Sequence, residues 1–217
     1  MAETTARRSY DASRRQQHAR QTRRRILTVA AEQFLGGYTA TTIRTVAANA
    51  GVSVATIESL FGTKANLLKQ AIDVAIAGDD TPVPVLERAW AAQAALLPDA
   101  ESFLDAVAAV LTDAQQRSAG LVLAAFEGAQ RDADLAALSQ QLVNQREGTA
   151  RWVVTTLAER ARLADSRDDA VQTLWLLMDP AVFDRLTRHR GWTPVQYRAW
   201  FARSAHRLLI AREEPTP

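Results

Sequence analysis

The sequence contains no cysteine, which removes disulfide frameworks and thiolate zinc sites. Its three histidines, His18, His189 and His206, are too scattered to suggest a metal cluster, so neither a cofactor nor a metal is expected. No apolar run approaches the ~20 residues that a helix needs to cross a bilayer. The arginines near the N-terminus are not followed by the apolar stretch of a secretion signal. No membrane partner is therefore expected, and the expected location is the cytoplasm. Catalytic motifs are missing too: there is no nucleophile elbow, no H-E-x-x-H, no Glu-x-x-His pair and no glycine-rich phosphate loop. An enzyme is not expected.

What is present points to an all-α protein. Apolar residues make up 47% of the 217 and charged residues 23%, enough for a buried core and too apolar for wholesale disorder. No alternating strand pattern of useful length occurs. The net charge of +2 hides an asymmetry: residues 1–69 carry 11 Lys/Arg against 4 Asp/Glu, and residues 70–217 carry 15 against 20. Such a division suits a small nucleic-acid-binding module attached to a larger body with another task.

The basic third contains the most informative stretch, Thr41 to Leu68. A helix over about 42–50 places Ile43, Val46 and Ala47 on one face. Gly51 then stands where a helix ends in a left-handed residue, which a side chain without Cβ adopts cheaply. Val52 is the apolar plug of the turn. Ser53 is a suitable N-cap for a second helix over about 53–61. Helix, short turn with glycine, helix is the helix-turn-helix pattern. Ahead of it, the basic run Arg14, Arg15, Arg20, Arg23, Arg24 and Arg25 leads into the apolar pattern of a first helix over about 16–35. These arginines are read either as a solvated helix end or as phosphate and minor-groove contacts. Residues 1–13 are expected to form a disordered tail.

The expected organisation is a helix-turn-helix domain over 14–63, a connecting helix and hinge over 64–81, and a larger helical domain over 82–212. The break is Gly78-Asp79-Asp80-Thr81-Pro82. Beyond it, helices are expected over about 85–97, 99–116, 119–130, 133–163, 167–178, 180–189 and 194–211, with Thr193 as a cap and Pro180 in a first turn.

Several fixed spacings coincide between Arg23 and Ile72. Gly37-Tyr38 with Thr41 opens the motif, Ala50-Gly51-Val52-Ser53 forms the turn, and Phe61-Gly62-Thr63-Lys64 closes it. In these motifs the chain resembles the TetR family of bacterial transcriptional regulators; the C-terminal two-thirds resembles it only in being helical, acidic and of similar length. The resemblance implies a homodimer with one small DNA-binding domain per subunit. It also implies a larger helical domain that dimerises, through helices near 167–188 and 194–211, and often holds a small-molecule effector. Leu174, Leu177, Trp200, Ala205 and Leu208 are the plausible seam residues.

On this reading the second helix enters the major groove of double-stranded DNA with its N-terminal residues toward base edges. Ser53, Val54, Ala55 and Thr56 form the base-facing group, and Val54 and Ala55 suit a thymine methyl. Thr42, Arg44 and Lys64 are the expected phosphate anchors, Lys64 standing at a helix N-terminus. Two positions depart from the family pattern: Glu58 stands where a tyrosine is usual, and Leu60 where His or Tyr is frequent. A carboxylate cannot donate to a phosphate, so Glu58 either accepts from a cytosine amino group or pairs with an arginine.

In the larger domain, Trp90, Phe103, Phe126, Trp152, Trp175 and Met178 are candidates to line a ligand pocket. Core filling is the alternative for each, since large apolar side chains at helical spacing generally do that. The expected function is a DNA-binding transcriptional regulator, a ligand-responsive repressor that binds a palindromic operator as a homodimer. The alternative is a TetR-like helical ligand-binding dimer whose DNA binding is weak or indifferent to sequence.

Overall fold

The computed structural model describes the backbone of residues 2–81 and 83–212, and within that range the side chains from residue 16 onward. Its regular structure is helical apart from one isolated antiparallel bridge between Leu163 and Ile210. The chain divides into two compact units, Met1–Ala71 and Ile72–Pro217.

The first unit contains α1 (Ala2–Phe34), α2 (Ile43–Ala50), α3 (Val54–Phe61) and the start of α4 (Lys64–Ala77). α1 is helical from Ala2, well ahead of the expected start near 16, so its backbone takes in the stretch expected as a tail. No glycine or proline occurs before Gly36 to interrupt it. The side chains of Arg14 and Arg15 lie outside the described residues.

α1 ends where Gly37 takes φ 103°. Tyr38 then stacks on Phe34, ring centroids 6.0 Å apart. The buried Thr41 hydroxyl lies 3.0 Å from both the Gln33 and the Gly37 carbonyl oxygens, which closes the turn. Ile26, Ala30, Phe34, Val46, Ala47, Ala50, Ile57 and Phe61 fill the core under these helices. Burying a side chain such as Ile57 or Phe61 contributes roughly 1.5–3 kcal/mol.

The second unit is built around α6 (Ala100–Gly128), against which α7 (Ala133–Leu157), α9 (Pro180–Asp184) and α10 (Pro194–Leu209) pack; α8 (Arg167–Leu177) lies on α7 and α10. Several expected boundaries move. The break expected at Ser118-Ala119-Gly120 is absent, and α6 is continuous. Gly120 costs a helix about 1 kcal/mol, but Ser118, Ala119, Leu121 and Val122 beside it are buried, and Ser118 Oγ donates to the Ala114 carbonyl at 2.8 Å. Packing outweighs propensity there. The helix expected over 85–97 is instead a 3₁₀ turn, Val85–Glu87, then α5 (Ala89–Ala95), because Arg88 is extended.

The Arg88 guanidinium pairs with Asp79 at 2.7 Å and donates to the Thr81 and Val83 carbonyls, bracing the expected hinge. Asp79 is held well below the usual carboxylate range, chiefly by that hydrogen bond and then by the Thr81 N–H. α7 stops at Leu157, short of the expected 163, and Leu163 instead pairs with Ile210 just after α10. The helix expected to end at His189 finishes in a π-helical turn over Arg185–His189.

Leu174 and Ala205, expected in a seam between subunits, are fully buried in this unit's own core. Leu176 and Leu208 on the same two helices are exposed. No helix among the described residues is long and apolar enough to cross a membrane.

Candidate nucleic-acid interface

The α2–α3 turn forms as its residues require. Gly51 sits at φ 62°, ψ 40°. Its N–H reaches the Ala48 carbonyl at 3.2 Å while the Val52 N–H reaches that of Ala47 at 3.0 Å. These are the paired bonds by which a left-handed residue closes a helix. Ile57 and Phe61 turn inward, which commits the opposite side of α3 to solvent. Val54, Ala55, Glu58, Ser59 and Leu60 are exposed there, and Val54 retains 37% and Leu60 40% of their surface.

The polar candidates are less available than their positions alone suggest. Ser53 caps α3 by accepting from the Thr56 N–H at 3.1 Å, and its hydroxyl lies 2.8 Å from that of Thr56. The two hydroxyls expected to face bases are thus bonded to each other. Thr42 caps α2 in a box made with Thr45, accepting from its N–H at 3.1 Å. Thr45 and Gln33 are joined side chain to side chain at 2.8 Å, and Gln33 Nε2 donates to the Thr45 carbonyl at 3.2 Å, fixing α2 to α1.

Among the expected phosphate anchors, Arg44 is exposed in the first turn of α2. Lys64 opens α4 behind Thr63, whose hydroxyl oxygen accepts from the Asn66 N–H at 3.1 Å. Its ammonium lies 3.9 Å from the centroid of the Tyr38 ring, a cation–π contact that joins the opening and closing motifs of the domain. Of the basic run on α1, Arg23 is turned inward, donating to Gln70 Oε1 with its guanidinium 5.1 Å over the Phe61 ring. Arg20, Arg24 and Arg25 are exposed. Ser59 was not singled out from the sequence, yet it shares the exposed side of α3 with Ala55. The i, i+4 spacing from Ala55 is the signal that identifies it.

The six pocket candidates separate into groups. Trp90, Trp152 and Phe103 come together, with ring centroids 5.4 Å apart for Trp90–Trp152 and 5.9 Å for Phe103–Trp152. Phe103 is fully buried and Trp90 Nε1 donates to the Val85 carbonyl at 2.8 Å. Met178 is buried in the same core, which Trp175 borders; Phe126 is half-buried and lies outside that core cluster.

Beside Trp175 lies a polar group that the sequence did not announce. Arg146 of α7 pairs with Asp179 at 2.8 Å and places its guanidinium 4.1 Å from the Trp175 ring centroid. Asp179 also caps α9 by accepting from the Ala181 N–H at 2.8 Å. Gln115 of α6 donates to the Met178 carbonyl at 2.7 Å. Burial weakens the basicity of Arg146, partly offset by Asp179. Burial raises the Tyr197 phenol far above its usual range, with the Asp179 charge adding to the effect.

Residues 26–71 match the family model described as bacterial regulatory proteins, tetR family. No curated protein matches the chain in sequence. Solved structures do resemble it. One is a transcriptional regulator of Saccharomonospora viridis in complex with choline (19% identity, 88% of this chain and 99% of that one covered, TM-score 0.65). Another is FadR of Bacillus subtilis in complex with stearoyl-CoA (16%, 83% and 96%, 0.64). A third is NalD, the secondary repressor of the MexAB-OprM multidrug efflux pump of Pseudomonas aeruginosa (17%, 88% and 98%, 0.62). At these identities the likeness is one of fold.

Proposed function

We propose that the chain, whose residues 26–71 match the family model of tetR bacterial regulatory proteins, is a ligand-responsive transcriptional repressor of that family that binds a palindromic operator as a homodimer. The observation that carries this reading is α3 itself: a capped helix behind a left-handed glycine turn, anchored by Ile57 and Phe61, with its other side open to solvent. Val54 and Ala55 are the groups for thymine methyls, and Glu58 is an acceptor for a cytosine amino group. Arg44 and Lys64 are the phosphate anchors, with Thr42 fixing the helix that carries Arg44. Leu176 and Leu208, exposed on α8 and α10, support pairing of two copies through those helices. A twofold pair predicts operator half-sites about 34 Å apart or a multiple of it. The complexes of similar folds with choline and with stearoyl-CoA support a small-molecule effector. An effector that binds one conformation of the dimer better than the other shifts the population, by no more than that difference in affinity.

A second reading has an observation in its favour. The Ser53 and Thr56 hydroxyls are tied to each other and Glu58 adds a negative charge to the reading face. A helical ligand-binding dimer with sequence-indifferent DNA affinity fits those two facts. Gel shift and footprinting on the DNA upstream of the protein's own gene separate the two. A protected inverted repeat supports the repressor; salt-sensitive binding without a footprint supports the second reading.

A further inference from the structure

Between Glu32 and Asp73 the sequence contains a single carboxylate, Glu58. Three cations, Arg44, Lys64 and Lys69, share that stretch. Glu58 is exposed on α3, and among the described residues its side chain makes no ion pair or hydrogen bond. Its backbone carbonyl accepts from the Gly62 N–H at 2.8 Å. The main chain thus closes the helix there, and the carboxylate takes no part. Val54 and Ala55 lie four and three residues before Glu58, which puts all three on one exposed patch.

What the patch lacks narrows what it can read. α3 carries no Arg, Lys, Asn or Gln, the side chains that read guanine or adenine bidentately. The Ser53 and Thr56 hydroxyls are bonded to each other. What remains is one carboxylate, two apolar side chains and the Ser59 hydroxyl. An ionised carboxylate accepts and never donates. Set against guanine it meets the N7 and O6 acceptors, and against thymine the O4 acceptor. Cytosine alone offers an amino donor with no acceptor beside it, since adenine places N7 next to its amino group. Val54 and Ala55 need an apolar partner, which in the major groove is a methyl at C5 of a pyrimidine. Side chains three or four residues apart stand about 5–6 Å from one another, and successive bases about 3.4 Å. The amino group and the methyl must therefore sit on one base or within about two base steps.

We propose that α3 recognises a cytosine amino group together with an adjacent pyrimidine 5-methyl group, and that Glu58 is the specificity-determining residue. Its carboxylate admits cytosine and repels guanine, thymine and phosphate, so it adds selectivity while lowering affinity for DNA at large. The methyl belongs either to a thymine next to that cytosine or to the cytosine itself, methylated at C5. The inference rests on the groove-reading role proposed above for α3 and names the bases that it reads.

The test uses the full chain in selection from randomised double-stranded DNA, followed by fluorescence anisotropy on the recovered site. The parent is expected to recover a fixed cytosine in each half-site, and guanine in its place should weaken binding about tenfold or more. Glu58→Gln should unfold at the parent's temperature, because the carboxylate has no partner in the fold. It should recover adenine at that position, the base that glutamine reads bidentately. It should also bind unrelated DNA a few-fold more tightly, an increase that salt suppresses. Exchange of the neighbouring thymine for deoxyuridine removes only the methyl, and should weaken binding several-fold if thymine supplies it. Exchange of the cytosine for 5-methylcytosine should tighten binding several-fold if the cytosine supplies it. The inference is overturned if Glu58→Gln recovers the same base as the parent. It is also overturned if neither the deoxyuridine nor the 5-methylcytosine duplex changes the affinity. An inverted repeat identical for both proteins leaves the repressor reading standing and removes Glu58. A fixed cytosine in a single, unrepeated site leaves Glu58 standing and removes the palindromic homodimer. Recovery of no preferred sequence by the parent overturns both.

Discussion

Gly51→Ala isolates the backbone of the turn from everything around it. A Cβ built on Gly51 meets no atom within 4 Å, so a steric clash makes no contribution. What remains is the conformation, φ 62° and ψ 40°, where an L-residue with a Cβ costs roughly 1–2 kcal/mol. Alanine also reduces the freedom of the unfolded chain, an offset of about 0.4–1 kcal/mol that does not reverse the sign at a positive φ. Gly148→Ala is the matched control. That glycine lies exposed within α7, also with nothing within 4 Å and without a positive φ. There the same substitution should stabilise by about 0.5–1 kcal/mol. All five tryptophans lie between Trp90 and Trp200, so fluorescence reports on the second unit and is silent on the turn. The assay is therefore amide hydrogen exchange read on peptides covering 42–61 and 133–157. Gly51→Ala should speed exchange in the first peptide by up to about tenfold, and Gly148→Ala should slow it in the second. Unchanged exchange at 42–61 would refute the left-handed turn, and equal signs at the two sites would refute the conformational argument.

Three further expectations concern single side chains. Ser53→Ala removes the α3 cap and should destabilise the first unit by about 1 kcal/mol, while Ser53→Asp retains it, as thermal unfolding monitored by circular dichroism at 222 nm would register. The stability contributed by the Asp79–Arg88 pair should be full above the ordinary aspartate pKa near 4 and decline progressively as pH falls below it, because the folded-state pKa of Asp79 is lowered and the pair itself breaks only at still lower pH. Limited proteolysis around 79–88 should accelerate in acid for the parent but show no such pH dependence for Asp79→Asn. Arg44→Ala should weaken binding to all DNA sequences alike and reduce the salt dependence by about one counterion, as fluorescence anisotropy at several salt concentrations would measure.

Local rules made the first unit legible. Gly51, Ser53, Thr42 and the spacing of Val46, Ala47, Ile57 and Phe61 each act within a few residues, and the helices begin and end close to where those residues require. The second unit was legible in kind but less so in its boundaries. Ser118-Ala119-Gly120 reads as a break because glycine disfavours helix, but the burial that keeps α6 continuous comes from helices far along the chain. Arg88 reads as mid-helix, but it is extended and paired with Asp79, and the 3₁₀ turn ends there.

The candidate interface shows the same division. That α3 presents Val54, Ala55 and Glu58 follows from helical periodicity. That Ser53 and Thr56 bond to each other, and that Lys64 lies over Tyr38, depends on side-chain choices that spacing does not determine. Arg146, Asp179 and Tyr197 come from three separate elements and share no motif. Only Asp179, as a cap before Pro180, carries a local signal.

Selection from randomised double-stranded DNA by the parent protein and by Ala55→Glu tests the central claim most directly. Ala55 is exposed in the first turn of α3, where a carboxylate favours the helix N-terminus and leaves the core untouched. In the major groove the same carboxylate would face base edges and phosphates and be repelled. If α3 is the reading helix, the parent recovers an inverted repeat and Ala55→Glu, equally folded, recovers none. Recovery of the same repeat by both proteins would contradict the assignment of α3 to the groove.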